Sequence, residues 1–126
     1  MTENADLMVS AADDANEHGS VHLIVGEKRV RLILSGEIDA DIGPELEEAG
    51  AEAESTGLPV EIDAHHITFM DSSGVAFLAN LASRMTQKVR ILRVPPTVKF
   101  LLEITRIGEM LDIVESEDAA DSDLDV

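Results

Sequence analysis

The sequence predicts an α/β fold: a small mixed β-sheet packed with helices, in the order ββαβαβα, with residues 111–114 available as a last strand. Three observations predict it. Short segments alternate apolar and polar residues, the period of a half-buried strand. Longer segments between them repeat apolar residues every three or four positions, the period of a helix. Gly and Pro punctuate the changes from one period to the other. Strands that alternate with helices in this way pack as one sheet with crossover helices.

Residues 21–25, Val-His-Leu-Ile-Val, alternate and read as the first strand. Gly26-Glu27-Lys28 is a turn signal. Val30, Leu32 and Leu34 then alternate with Arg29, Arg31 and Ile33, so the first two strands form a hairpin. Lys28, Arg29 and Arg31 read as a solvated turn and strand face. Ser35-Gly36-Glu37-Ile38-Asp39-Ala40-Asp41 is a polar connection. Pro44 suits the first turn of a helix, where its missing N–H is not needed. Glu45, Glu47 and Glu48 complement the positive end of that helix. Leu46, Ala49 and Ala53 form its narrow apolar stripe, Gly50 weakens it by about 1 kcal/mol relative to Ala, and Gly57 ends it.

Residues 59–64 alternate as a third strand, and His65 to Met70 lead into the central motif. From Ser73 to Gln87 the pattern is helical: Val75, Leu78, Ala79, Ala82 and Met85 share a face, and Phe77 and Leu81 widen it. Residues 89–94 form a fourth strand, broken by Pro95-Pro96. A last helix from Thr97 carries Val98, Leu101, Leu102 and Thr105 on one face, with Gly108 closing it.

The chain is organised around Phe69-Met70-Asp71-Ser72-Ser73-Gly74. An apolar run stops there and a helix begins. Asp71, Ser72 and Ser73 are all residue types that cap a helix by accepting hydrogen bonds from its first N–H groups. One cap needs one oxygen, so three adjacent candidates exceed the need. Gly74 permits close approach of a backbone or ligand, and a helix N-terminus suits an anion such as phosphate. The motif is a cap, a site, or both.

Composition narrows the function. The chain has 126 residues, 44% of them hydrophobic, and a net charge of −17, which bounds it to one domain with a packed core. Residues 1–20 hold five acids and residues 115–126 hold six, with no Lys or Arg in either. Both read as disordered acidic tails flanking a domain at 21–114. An acidic chain is repelled by nucleic acid and anionic membrane, and with three Phe and no Trp or Tyr it lacks stacking platforms for bases. No apolar run approaches the roughly 20 residues that span a bilayer. The absence of Cys excludes disulfides and thiolate metal sites and fits a cytoplasmic location.

The central motif resembles the signature of STAS domains of the anti-sigma-factor antagonist type. Ser35-Gly36-Glu37-Ile38-Asp39 is similar to that family's acidic loop after the second strand. The stretch from Val94-Pro95-Pro96-Thr97 through Leu101-Leu102 to Ile107-Gly108 resembles its C-terminal helix and exit. The resemblance covers residues 21–114 and implies a partner switch. The unphosphorylated antagonist would bind an anti-sigma factor, a small serine kinase, and so free a sigma factor. The kinase would phosphorylate Ser72, with Ser73 the fallback acceptor, and a serine phosphatase would reset the switch. Asp39 and Asp71 match acidic positions near that serine. The partner surface implied is Glu37, Asp39, Asp71, Ser72, Ser73, Gly74, Val75 and Ala76. The family often has Gly-Leu-Gly after the serines, where this chain has Gly74-Val75-Ala76. Rival readings are a STAS subunit of a larger assembly, lipid-transport or stressosome-like, and a module that senses a nucleotide or small molecule.

Other constellations point to no catalysis, metal or cofactor. His65 and His66 are adjacent on an extended segment, so they should point to opposite sides and face solvent. Glu37, Asp39 and Asp71 could hold Mg²⁺ or do acid–base work, but no nucleophile–base pair accompanies them. There is no Gly-x-Ser-x-Gly elbow, and no P-loop or dinucleotide motif.

Overall fold

The computed structural model describes residues 18–115. The expected tails lie outside the described residues, except at 18–20 and 115. The elements are β1 (Ser20–Val25), β2 (Val30–Ile38), α1 (Gly43–Ser55), β3 (Val60–Met70), α2 (Ser72–Arg84), β4 (Val89–Leu92), α3 (Pro96–Thr105) and β5 (Leu111–Val114). Turns of 3-10 helix occupy Ala40–Ile42 and Ile107–Met110. The fold is the mixed α/β sheet that the two periods predict.

The sheet runs in the order β1-β2-β3-β4-β5. β1 is antiparallel to β2, as the hairpin requires. β2 to β5 are parallel neighbours. Each parallel step moves one place in the same direction, so right-handed crossovers carry all three helices to one face. Val30, Leu32 and Leu34 of β2, Val60, Ile62 and Ala64 of β3, and Val89 and Ile91 of β4 share one core with the buried residues of all three helices. Each such Val, Leu or Ile side chain contributes roughly 1.5–3 kcal/mol by leaving water. The topology also places the C-terminal ends of β2 to β5 along one rim, where the connections into the helices begin.

Several local expectations are corrected. Residues 35–38 are strand, not a polar connection. Alternation persists through them, with Gly36 and Ile38 buried and Ser35 and Glu37 half-buried. Gly36 has φ +76°, and a Cβ there would run into the His18 carbonyl. A positive φ and a crossing backbone together require glycine. Residues 65–70 likewise continue β3. In α2, Phe77 and Leu81 are buried while Ala79 and Ala82, and Met85 just past its end, are only partly so. The Phe77 ring lies against α1 at Gly50, where a Cβ would come within 3.1 Å of it. The helix stops at Arg84, since Met85 is extended. α3 ends at Thr105 with Arg106 in the left-handed region at φ 65°, so Arg106 and not Gly108 is its stop.

The basic strand face is also corrected. Arg31 and Glu61 are 4% and 1% exposed, and they face each other in register with Arg90 on the third strand of the row. Glu61 accepts from Arg31 at 3.0 Å, from Arg29 at 3.0 Å and from Arg90 at 2.7 Å. The sheet face away from the core therefore carries a charge cluster centred on one buried carboxylate. Nearby, Asp63 accepts from Arg93 at 2.6 Å and from the His65 N–H at 3.1 Å. Burial alone pushes the Asp63 carboxyl up. The Arg93 hydrogen bond, the His65 N–H and the charges of Arg93 and Arg31 outweigh it, and hold the group below the ordinary aspartate value.

Removing one partner of such a cluster leaves buried charge uncompensated. Glu61→Ala is expected to destabilise the fold by about 3–5 kcal/mol, read from urea midpoints at constant slope. Asp63 has a lowered native pKa. Its stabilisation is therefore complete above its unfolded value of about 3.9 and is lost as pH falls through the native value. Asp63→Asn should be less stable than the parent at pH 7, and the gap should close below about pH 4. A gap that stays constant over that range, in melts at pH 7, 4 and 3, would contradict the assignment.

Candidate functional site

The site is built where β3 hands over to α2. Met70 ends the strand buried in the core. Asp71 is extended at φ −112°, ψ −166° and stands at the N-cap of α2. Its Oδ1 accepts the Ser73 N–H at 2.8 Å and the Gly74 N–H at 3.4 Å. Its carbonyl accepts the Val75 N–H at 3.1 Å, and its own N–H donates to the Ile38 carbonyl at 3.3 Å. The cap is thus Asp71, and neither serine hydroxyl is needed for it. Ser72, at the first helical position, is exposed, and Ser73 is half-buried.

The second acidic position is adjacent. β2 and β3 are paired, with Glu37 opposite Phe69 and Ile38 opposite Met70. Asp39 follows directly in extended backbone, caps the 3-10 turn, and accepts the Asp41 N–H on Oδ1 at 3.0 Å. The structure therefore brings Glu37, Asp39, Asp71, Ser72, Ser73 and the exposed Ala76 to one rim of the sheet. Gly74 and Val75 turn inward. A Cβ at Gly74 would stand 2.6 Å from Met70 Cγ and 3.0 Å from the Ile38 carbonyl oxygen. Glycine here lets the first turn of α2 press onto the ends of β2 and β3. Gly74 and Val75 position the rim rather than present it.

The two histidines are corrected in part. Both are exposed, but they do not point apart: their rings meet edge to face at 4.7 Å. The register runs from Ile33 opposite Asp63 to Ser35 opposite His66, so β3 gains one residue there. Such a bulge turns two successive side chains to one side. A second shift, between Gly36 opposite Ile67 and Glu37 opposite Phe69, does the same for Thr68 and Phe69. Among the described residues no three His, Asp or Glu side chains converge as a metal site would require.

The second bulge reveals a feature the sequence reading missed. Phe69 is 50% exposed, three residues before Ser72. It faces a groove of about 490 Å³ walled by Met70, Pro96, Thr97, Phe100 and Leu101. Phe100 and Ile104, four apart on α3, are 60% and 58% exposed. Their spacing is a second apolar stripe beside that of Val98 and Leu102, and it was legible. The exposure of Phe69 was not, because it depends on cross-strand register. A further cavity, about 400 Å³, lies on the same rim by β4 and β5. Its cations are held by acids, Arg93 by Asp63 and Lys99 by Glu115.

The fold agrees with comparison to known proteins. The family described as Mlab, STAS domain matches residues 25–115, and the chain belongs to the STAS domain family. Solved structures share the fold. An anti-sigma factor antagonist from Mycobacterium paratuberculosis is 20% identical with a TM-score of 0.74, over 90% of this chain and 97% of that one. The anti-sigma factor antagonist SpoIIAA in its unphosphorylated form is 21% identical with a TM-score of 0.64, over 85% and 98%. The Bacillus cell fate determinant SpoIIAA in its phosphorylated form is 21% identical with a TM-score of 0.63, over 82% and 98%. No curated protein matches the chain significantly. No helix among the described residues is long and apolar enough to cross a membrane.

Substitutions at two positions test this corner. Asp71→Ala should cost about 0.5–2 kcal/mol through loss of the cap, whereas Asp71→Asn, which still offers an oxygen, should cost much less. Gly74→Ala should cost about 1–3 kcal/mol by overpacking, although Ala is the better helix former. Thermal melts followed by circular dichroism decide both, and a stabilised Gly74→Ala would contradict the packing described.

Proposed function

We propose that this chain is an anti-sigma factor antagonist whose binding is controlled by phosphorylation at Ser72. The unphosphorylated form binds an anti-sigma factor that is a serine kinase, and so frees a sigma factor. The kinase phosphorylates Ser72, the complex separates, and a serine phosphatase restores binding. The protein is a substrate in this cycle and not an enzyme, and it works in the cytoplasm. One observation carries the reading: the Ser72 hydroxyl is exposed at the mouth of α2, relieved of the capping role by Asp71. The fold supports it, since SpoIIAA, a protein of this fold, is described in both unphosphorylated and phosphorylated forms.

The physics of a switch follows from charge. Phosphorylation adds roughly −1.5 to −2 charges at pH 7. The helix dipole returns only about 0.3–1 kcal/mol of that. Asp71 is the next residue, and Glu37 and Asp39 lie on the neighbouring strand end, so the added charge meets others of its own sign. In the free protein, water and salt screen the repulsion. Under a bound partner the screening falls, and the penalty is borne by the complex. About 1.4 kcal/mol is a tenfold loss of affinity.

A second reading keeps the fold and drops the switch, with the chain as a STAS subunit of a larger assembly. What favours it is that the matching family carries the description Mlab, STAS domain, while the antagonists share only about a fifth of their residues with this chain. The test is direct. The purified chain is mixed with each anti-sigma serine kinase of its source organism and Mg-ATP, and the phosphate is located by mass spectrometry. Phosphate is expected on Ser72. Ser72→Ala should stay bound to that kinase through ATP addition, and Ser72→Asp should bind at least about tenfold more weakly by calorimetry. Equal affinities of the two variants would overturn the switch, and isolation in a complex of several different subunits would favour the second reading.

A further inference from the structure

The groove between the end of β3 and α3 lies outside the rim expected to meet a partner. Two of the chain's three Phe, Phe69 and Phe100, are at least half exposed on it. Ile104 extends the patch one turn along α3, and no charged residue lines the groove. Clustered exposed aromatics of this kind mark docking surfaces. We infer that the groove is the apolar half of the partner interface, and that it receives the apolar stripe of an amphipathic helix of the kinase proposed above. The inference rests on that reading and extends it.

The occupant is argued from charge and continuity. The chain's own terminal segments, five acids in residues 1–20 and six in 115–126, would bring carboxylates to a groove with no cation to receive them. A second copy would bring another net charge of −17, which opposes self-association. A helix from another protein can lay side chains at i, i+3 and i+4 into an apolar groove of this kind. The groove is continuous with Ser72, because one segment, Thr68 to Asp71, both walls it and caps α2. β2 with its acids lies on one side of β3, and β4 leading into α3 lies on the other. Ser72 therefore sits between an acidic flank and an apolar one.

This arrangement gives the phosphate a second means of release. A dianion beside an apolar contact must be stripped of water when the helix docks, in addition to the repulsion from the acidic flank. The groove supplies affinity, and the serine beside it decides whether that affinity is usable.

The test uses the full chain and the purified kinase identified by Ser72 phosphorylation. Phe100→Ser and Phe69→Ser should each weaken kinase binding at least about tenfold, as truncation of a central aromatic anchor does. Both side chains are half-exposed or more, so melting curves should stay near the parent's. A benzoylphenylalanine at position 100 should crosslink to one helix of the kinase, on its apolar face. Parent-like affinity of both serine variants, with Ser72→Asp still weak, would overturn the groove and leave the switch standing. Failure of the parent chain to bind any kinase would overturn both. Light scattering supplies a further check: a dimer of the parent chain that Phe100→Ser dissolves would show the groove to be a self-contact and overturn the inference.

Discussion

The carboxylate of Asp71 closes the first turn of α2, and the uses left to its neighbours follow from that bond. By accepting the Ser73 and Gly74 N–H groups, it holds the helix start in place without a hydroxyl. The backbone of the same residue is hydrogen-bonded to Ile38, which ties the helix mouth to the end of β2, next to the acidic turn. Gly74 completes the constraint by letting the helix sit directly on Ile38 and Met70. A serine placed at the first helical position of such a corner has its backbone neighbours hydrogen-bonded and its side chain open. Those are the properties a modification site needs if its charge is to act on a docked partner and not be absorbed by local rearrangement.

The opposite property governs the sheet face that carries Arg31, Glu61 and Arg90. Their alternation with Val30, Leu32, Val60 and Ile62 is legible in the sequence, and it correctly assigns the apolar residues to the core. It misassigns Arg31, which is 4% exposed, to a solvated face. Three parallel strands in register set Arg31, Glu61 and Arg90 side by side, and the carboxylate is enclosed by guanidinium groups. Strand alternation states which side a residue faces. Whether that side is wet depends on which strands become neighbours.

The β3 bulges illustrate the same limit at the functional rim. Each extra residue turns a consecutive pair outward, first His65 with His66 and then Thr68 with Phe69. Without the second bulge, strict alternation would not place Thr68 and Phe69 on the same side. With it, an aromatic ring stands in solvent next to the Ser72 corner and opposite Phe100 across the groove. A local irregularity in pairing thus leaves an apolar ring on the surface at the position where a partner is proposed to bind.

The amino-acid order by itself determined the element sequence, the α/β class, the corner at Asp71-Ser72-Ser73-Gly74 and its family resemblance. Those depend on periods of two and of three or four, on turn residues, and on motif chemistry, all of which act over a few positions. Only the tertiary structure decided that Asp71 is the cap, that Gly74 is a packing contact, that Glu61 is enclosed by arginines, and that Phe69 faces solvent. Each of these depends on distances between segments tens of residues apart, set by sheet register and by how closely helices sit on strands.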